Sequence, residues 1–145
     1  MKMRQATKDD LQQVRLILEN SNLILQGIED IIDDFIVLHD EDSLHGCVGL
    51  EVYGDVALLR SLAVKLAFQK KGYGLQLLKE IEMHAKSRNV NTLFLLTNTA
   101  ESFFAKYGYL VESRERAPKS IIETEEFSEL CPESSIFMKK DLEKE

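Results

Sequence analysis

Gln69-Lys70-Lys71-Gly72-Tyr73-Gly74 is the stretch of this 145-residue chain whose residue types and spacing point most directly at chemistry. Its two glycines sit where a bulky side chain would hold phosphate oxygens away, and a helical pattern begins at once, so unpaired amides would face an anion. A pyrophosphate is the guest such a turn would take. The spacing lacks the Gly-Lys-Ser/Thr ending of a P-loop, and it lacks G-x-G-x-x-G. Arg60 is the second candidate, because an arginine inside the apolar run Val56–Val64 must find an anionic partner or bear a heavy desolvation cost. Its even spacing with Leu62 and Val64 predicts that the three share one strand face. Its partner is either a substrate carboxylate held bidentately or a structural Glu or Asp at the edge of a cleft, unless the side chain escapes to solvent at the strand's end. His39, His45 and Cys47 lie on a hairpin edge with no fourth ligand at metal spacing, so no metal is expected.

The elements that must position these residues can be read along the chain. Met3 to Ala6 is a short edge strand, and Thr7-Lys8-Asp9-Asp10 resembles a capping box ahead of a helix with Leu11, Val14, Ile17 and Leu18 on one stripe. A short helix or turn at Gly27 to Ile32 leads to a strand over 34–39, a hairpin turn at Asp40-Glu41-Asp42-Ser43 and a strand from Leu44 to Tyr53. Val56 to Val64 is apolar almost without alternation, as in a central strand covered on both faces. From Tyr73 a helix carries Leu75, Leu78, Ile81 and Ala85, and a buried strand at Leu93 to Leu96 completes a βαβ unit, so its two strands should be parallel. Asn98 or Thr99 then caps a short helix holding Phe103, Phe104 and Tyr107, closed by Gly108, before a strand from Tyr109 to Ser113. Arg114 to Glu133 reads as a long loop with at most a turn of helix, and Ser134 to Lys140 as the last strand.

Composition narrows the function classes. The length suits one domain over 1–145, and 44% apolar with 30% charged residues is ordinary for a globular protein. A net charge of -7 argues against a nucleic-acid partner, whose phosphates are held by Lys and Arg. No stretch is long and apolar enough to span a bilayer and the N-terminus is polar, so a cytoplasmic location with reduced Cys47 and Cys131 is expected, and no membrane partner.

The glycine turn matches Q/R-x-x-G-x-G/A, the acetyl-coenzyme A signature of the GCN5-related N-acetyltransferase (GNAT) superfamily, and with the strand, helix, strand and aromatic helix around it the chain is identified as a member. The resemblance covers almost the whole chain, from Arg4-Gln5-Ala6-Thr7-Lys8-Asp9-Asp10-Leu11 onward. Leu59-Arg60-Ser61-Leu62-Ala63-Val64, Leu95 to Ala100, Phe103 to Tyr109 and Glu126 to Pro132 are similar to N-acetyltransferases encoded in arsenic-resistance operons, and these resemble the acetyltransferase domain of N-acetylglutamate synthase. The resemblance implies an α/β (α+β) GNAT fold, a mixed, mostly antiparallel sheet whose central parallel pair splays between helices. It implies acetyl transfer from acetyl-coenzyme A to the primary amine of a small amino acid or amino-acid-like compound by direct attack.

 The reaction would then be a detoxification or resistance step on such compounds.

Carried over residue by residue, the backbone of Leu62, Ala63 and Val64 would pair with the pantetheine arm like an added strand, and Gln69, Lys71, Gly72, Tyr73, Gly74 and Leu75 would surround the pyrophosphate. A fixed amide near Leu62 would face the thioester oxygen. Many members place a tyrosine general acid where this chain has Phe104, and Tyr107 lies three residues on, almost a full turn around the helix. The proton carriers therefore stay open, with Glu51, Glu125 and Glu126 as carboxylate candidates for the base, Arg60 as the acceptor contact, and Arg114 and Arg116 as further cations near the loop. A second copy of the chain is a candidate partner. The alternative class is a module that binds an acyl-coenzyme A or an amino acid without turnover, which the absence of a tyrosine at Phe104 would suit.

Overall fold

The computed structural model describes residues 1–124, 127 and 135–142. Its elements are β1 (Lys2–Gln5), α1 (Leu11–Asn20), α2 (Ile28–Ile31), β2 (Phe35–His39), β3 (Leu44–Tyr53), β4 (Val56–Val64), α3 (Tyr73–Ser87), β5 (Thr92–Thr97), α4 (Glu101–Lys106), β6 (Leu110–Val111), α5 (Lys119–Ile122) and β7 (Ile136–Asp141). The strands form one sheet in the order β1-β2-β3-β4-β5-β7-β6, antiparallel throughout except for the β4–β5 pair. That pair is parallel because α3 carries the chain from the end of β4 back to the start of β5.

Apolar side chains cover both faces of β4, as its unbroken run requires. Leu77, Leu78, Ile81 and Ala85 of α3 pack on Val48, Leu50, Ala57 and Leu59. On the other face, Val14, Ile17 and Leu18 of α1 meet Phe35, Val37, Cys47 and Ala63. The Phe35 ring lies over its cross-strand partner Gly49, where an added Cβ would come within 2.2 Å of the ring. The start of α1 is held by Asp10, whose carboxylate accepts two bonds from Arg4 at 2.8 and 2.9 Å and one from the Thr7 N–H at 2.8 Å. The Arg4 guanidinium, and then the Thr7 amide, hold the Asp10 carboxyl below its usual range against the opposing effect of burial.

Several expected boundaries shift. The short aromatic helix has Ala100 at its N-cap, rather than Asn98 or Thr99, and no side chain caps it; just ahead of it the Thr97 hydroxyl oxygen accepts the Ala100 N–H at 3.0 Å. The strand expected from Tyr109 to Ser113 is reduced to Leu110–Val111, because Tyr109 turns into the core and donates its hydroxyl to Glu82 at 2.8 Å. Burial, and the charge of Glu82 after it, push the Tyr109 phenol well above its ordinary value. The last strand begins at Ile136, and the expected start at Ser134 lies outside the described residues. Among the described residues no helix is long and apolar enough to cross a membrane.

Candidate active site

The β4–β5 ladder pairs only Val56 with Thr92, Ala57 with Leu93 and Leu58 with Phe94. Beyond Leu58 the two strands part, and β5 continues to pair on its far side with β7 as far as Thr97. The opening is a cavity of about 160 Å³ whose lining includes Leu59, Arg60, Ser61 and Leu62 from β4, Leu95 to Thr97 from β5, and Phe104 from α4. A strand edge that faces no neighbour offers its backbone groups to an extended guest. Leu62 lies in this cavity, Ala63 is buried against the α1 side, and Val64 is half-buried.

The glycine turn follows from the end of β4. Gln69 folds back and donates its side-chain amide to the Val64 carbonyl at 2.8 Å, tying the turn to the strand. Lys70 at φ 63° and Gly72 at φ 86° are both left-handed, and Gly72 caps α3 without any side chain on the first-turn amides. A Cβ at Gly72 would meet nothing within 4 Å, and one at Gly74 would approach only Phe103, at 3.8 Å. Lys71 is exposed, while Tyr73, Gly74 and Leu75 are half-buried along the first turn. The turn thus has the open space, the bare helix start and the cations that a pyrophosphate needs.

A β-bulge distorts β4 between these two regions. The register runs from Cys47 opposite Ala63 to Gly49 opposite Arg60, so two steps along β3 match three along β4. Ser61 takes the extra step with φ 63°. This corrects the expected face of Arg60: Leu62 and Val64 join Leu59 on the α3 side, whereas Arg60 points to the other side, toward α2. Alternation alone missed this, because an inserted residue reverses the parity of everything beyond it.

Arg60 lines the splayed cavity and also a second one of about 500 Å³, shared with Gln26, Gly27, Glu51, Tyr53 and Glu123. Its guanidinium is buried and donates to Glu51 Oε2, the Ile24 carbonyl and Ser61 Oγ, each at 3.1 Å. The other Glu51 oxygen accepts the Tyr53 hydroxyl at 2.6 Å. Glu29 and Asp30 add carboxylates to the same cavity. The Glu29 carboxyl lies below its usual range, chiefly through its own backbone N–H and also through Arg15.

Other candidates lie elsewhere. Arg114 donates to the Ser135 carbonyl at 2.8 Å and stands over the Phe127 ring, and Arg116 is exposed. Phe104 is buried at the back of the splayed cavity with edge contacts to Phe103 and Tyr109. Tyr107 packs on Phe103 and does not line that cavity. His45 donates its Nε2–H to the Asp40 carboxylate, 2.7 Å away, and makes a tilted ring contact with Phe68. Cys47 is buried and free, its thiol pushed up to about 12 by burial, while Glu125, Glu126 and Cys131 lie outside the described residues. Tyr53 and Ser61 were not singled out from sequence. Tyr53 had a signal, since it lies two residues from Glu51 on one strand face; Ser61 had none.

The model of the acetyltransferase (GNAT) domain family matches residues 32–111 of the chain. The chain belongs to this acetyltransferase family. The donor of GNAT enzymes is acetyl-coenzyme A, and the open β4 edge and bare α3 start fit its pantetheine arm and pyrophosphate. An amino-acid acetyltransferase of Neisseria meningitidis is 28% identical over a 127-position alignment that covers 81% of this chain and 29% of that protein. An N-acetyltransferase of Chlorobaculum tepidum is 32% identical over a 103-position alignment that covers 68% of this chain and 66% of that one. N-acetylglutamate synthase from Neisseria gonorrhoeae, in its complex with coenzyme A and N-acetyl-glutamate, superposes with a TM-score of 0.86 at 24% identity, covering 99% of this chain and 35% of the synthase. The fold is accordingly the GNAT fold, and the chain spans about 29% of the length of the amino-acid acetyltransferase it matches.

Proposed function

We propose that this GNAT domain, folding as a single unit, transfers the acetyl group of acetyl-coenzyme A to the primary amine of a small amino acid or amino-acid-like compound by direct attack. The observation that carries the reading is Arg60, which lines the opening between β4 and β5 and, on its other side, the larger polar cavity. A donor in the first and an acceptor in the second would meet beside it.

In this reading the backbone of Leu62, Ala63 and Val64 binds the pantetheine arm, and Gln69, Lys71, Gly72, Tyr73, Gly74 and Leu75 hold the pyrophosphate. The acceptor enters among Glu29, Asp30, Glu51 and Glu123, carboxylates that favour an incoming ammonium, with its own carboxylate toward Arg60. Glu51, directly or through a water, takes the proton that frees the amine lone pair. The nitrogen attacks the thioester carbon, the C–N bond forms as the C–S bond breaks, the electron pair leaves with coenzyme A as its thiolate, and the second proton of the acylated nitrogen passes to water, leaving the neutral amide. The Leu62 amide stabilises the charge that gathers on the carbonyl oxygen. Phe104 has no proton to give, and a thiolate leaves without one more readily than an alkoxide would. Because the sequence resembles resistance-operon enzymes, the acceptors extend to phosphinate and arsenical analogues of amino acids, and the reaction to their detoxification.

Thiol release from acetyl-coenzyme A, measured over a panel of amino acids and their phosphinate and arsenical analogues, tests this. Acceptor-dependent release with an N-acetylated product by mass spectrometry is expected. Phe104 favours a second reading, a sensor of acyl-coenzyme A; saturable binding with no release for any member of the panel would establish it and refute turnover.

A further inference from the structure

Ser61 occupies an uncommon position: it is 8% exposed, it carries a side chain, and its φ of 63° lies in the left-handed region. Such a conformation persists only when the surroundings enforce it. Two buried groups do so here. The Arg60 Nε–H donates to the Ser61 hydroxyl at 3.1 Å, and the Cys47 thiol donates to the Ser61 carbonyl at 3.3 Å. Cys47 is fully buried on β3, opposite Ala63, so its sulfur approaches the bulge from the β3 side.

The consequence falls on the next amide. The peptide units are trans, and in a planar trans unit the carbonyl and the N–H point in opposite directions. With the Ser61 oxygen held toward Cys47, the Leu62 N–H of the same unit is turned away from β3, toward the opening that Ser61 and Leu62 line. We infer that Ser61 is a positioning residue, clamped by Cys47 and Arg60 so that the Leu62 amide is aimed at the thioester carbonyl oxygen. The inference rests on the acetyl-transfer reading above. It assigns the buried Cys47 thiol a task as a hydrogen-bond donor, apart from any redox or nucleophilic chemistry.

The test uses the full chain with acetyl-coenzyme A labelled with ¹³C at the thioester carbonyl, which needs no acceptor. Difference infrared spectra report the hydrogen bond to that oxygen as a fall in the carbonyl frequency on binding. The wild type should show the fall, Cys47→Ser should keep it because a hydroxyl still donates, and Cys47→Ala and Ser61→Gly should lose most of it. Ser61→Gly tolerates the left-handed backbone, so the hydroxyl contact is what it removes. Coenzyme A affinity, which lacks the acetyl carbonyl, should change less than threefold in every variant; kcat should fall about tenfold or more in Cys47→Ala and Ser61→Gly, within the cost of a misplaced reacting group. An unchanged frequency in Cys47→Ala with binding intact overturns the clamp, even where Ser61→Gly fails to fold. A wild type that binds without any shift overturns the amide contact, and one that does not bind refutes the functional reading itself.

Discussion

Replacing Arg60 by alanine would remove the bonds to Glu51, Ser61 and the Ile24 carbonyl at once. The pair is well buried, with side-chain exposures of 4% for Arg60 and 14% for Glu51, so the carboxylate left behind could not simply return to water. Breaking a buried pair costs about 3–5 kcal/mol, and the residual exposure of Glu51 places this one near about 3 kcal/mol. For a domain of this size that lowers Tm by roughly 10 °C. Most of the loss belongs to the orphaned charge, so Glu51→Gln, which keeps a partner for Tyr53, should rescue it: the double variant should be about 1–2 kcal/mol more stable than the sum of the single changes. Urea denaturation of the four proteins of the cycle measures this directly. A loss below about 1 kcal/mol in Arg60→Ala, or additivity within about 0.5 kcal/mol, would refute the claim that Glu51 holds the guanidinium. In turnover, Arg60→Ala at a temperature where it stays folded should raise the acceptor's KM more than that of acetyl-coenzyme A; equal effects would leave Arg60 with a structural task alone.

Three further outcomes follow from other sites. Gly72→Val places a β-branched residue at φ 86°, which should cost about 1–2 kcal/mol in denaturation and weaken coenzyme A binding at least tenfold by titration calorimetry, since the turn is reshaped; unaltered affinity would exclude Gly72 from the donor site. Asp10 has a folded pKa below the ordinary 3.8, so its stabilisation is full above that value and is lost as pH falls through the folded pKa. Asp10→Asn should therefore lower stability most at neutral pH and converge with the wild type in strong acid, and a gap that persists in acid contradicts the pairing with Arg4. Phe104→Tyr should change kcat by less than about threefold if the thiolate leaves unprotonated; a rise toward the hundredfold typical of general acids would show that protonation limits the rate.

Much of the architecture is legible because it depends on local pattern. The apolar run Val56–Val64 followed by Gln69 to Gly74 and an amphipathic helix specifies strand, turn and helix within one window, and the parallel return of β5 follows from the helical crossover between the two strands. The features that escape depend on partners distant in sequence or on a single inserted residue. Ser61 carries no sign that it will adopt a left-handed backbone, since glycine or asparagine would be the ordinary occupant, and the stabilising groups come from Cys47 and Arg60. The expected face of Arg60 is reversed for that reason, although a buried salt bridge to a carboxylate is among its expected partners. Tyr109 is expected to open the strand that follows Gly108, but its hydroxyl finds Glu82 on α3, a contact that no local rule contains.

Isothermal titration of acetyl-coenzyme A into the full chain tests the central claim most directly, that the splayed edge of β4 and the turn from Gln69 to Gly74 form one donor site. The account predicts saturable one-to-one binding that Gly72→Val weakens at least tenfold. Absence of heat with both acetyl-coenzyme A and coenzyme A at millimolar concentration would contradict it.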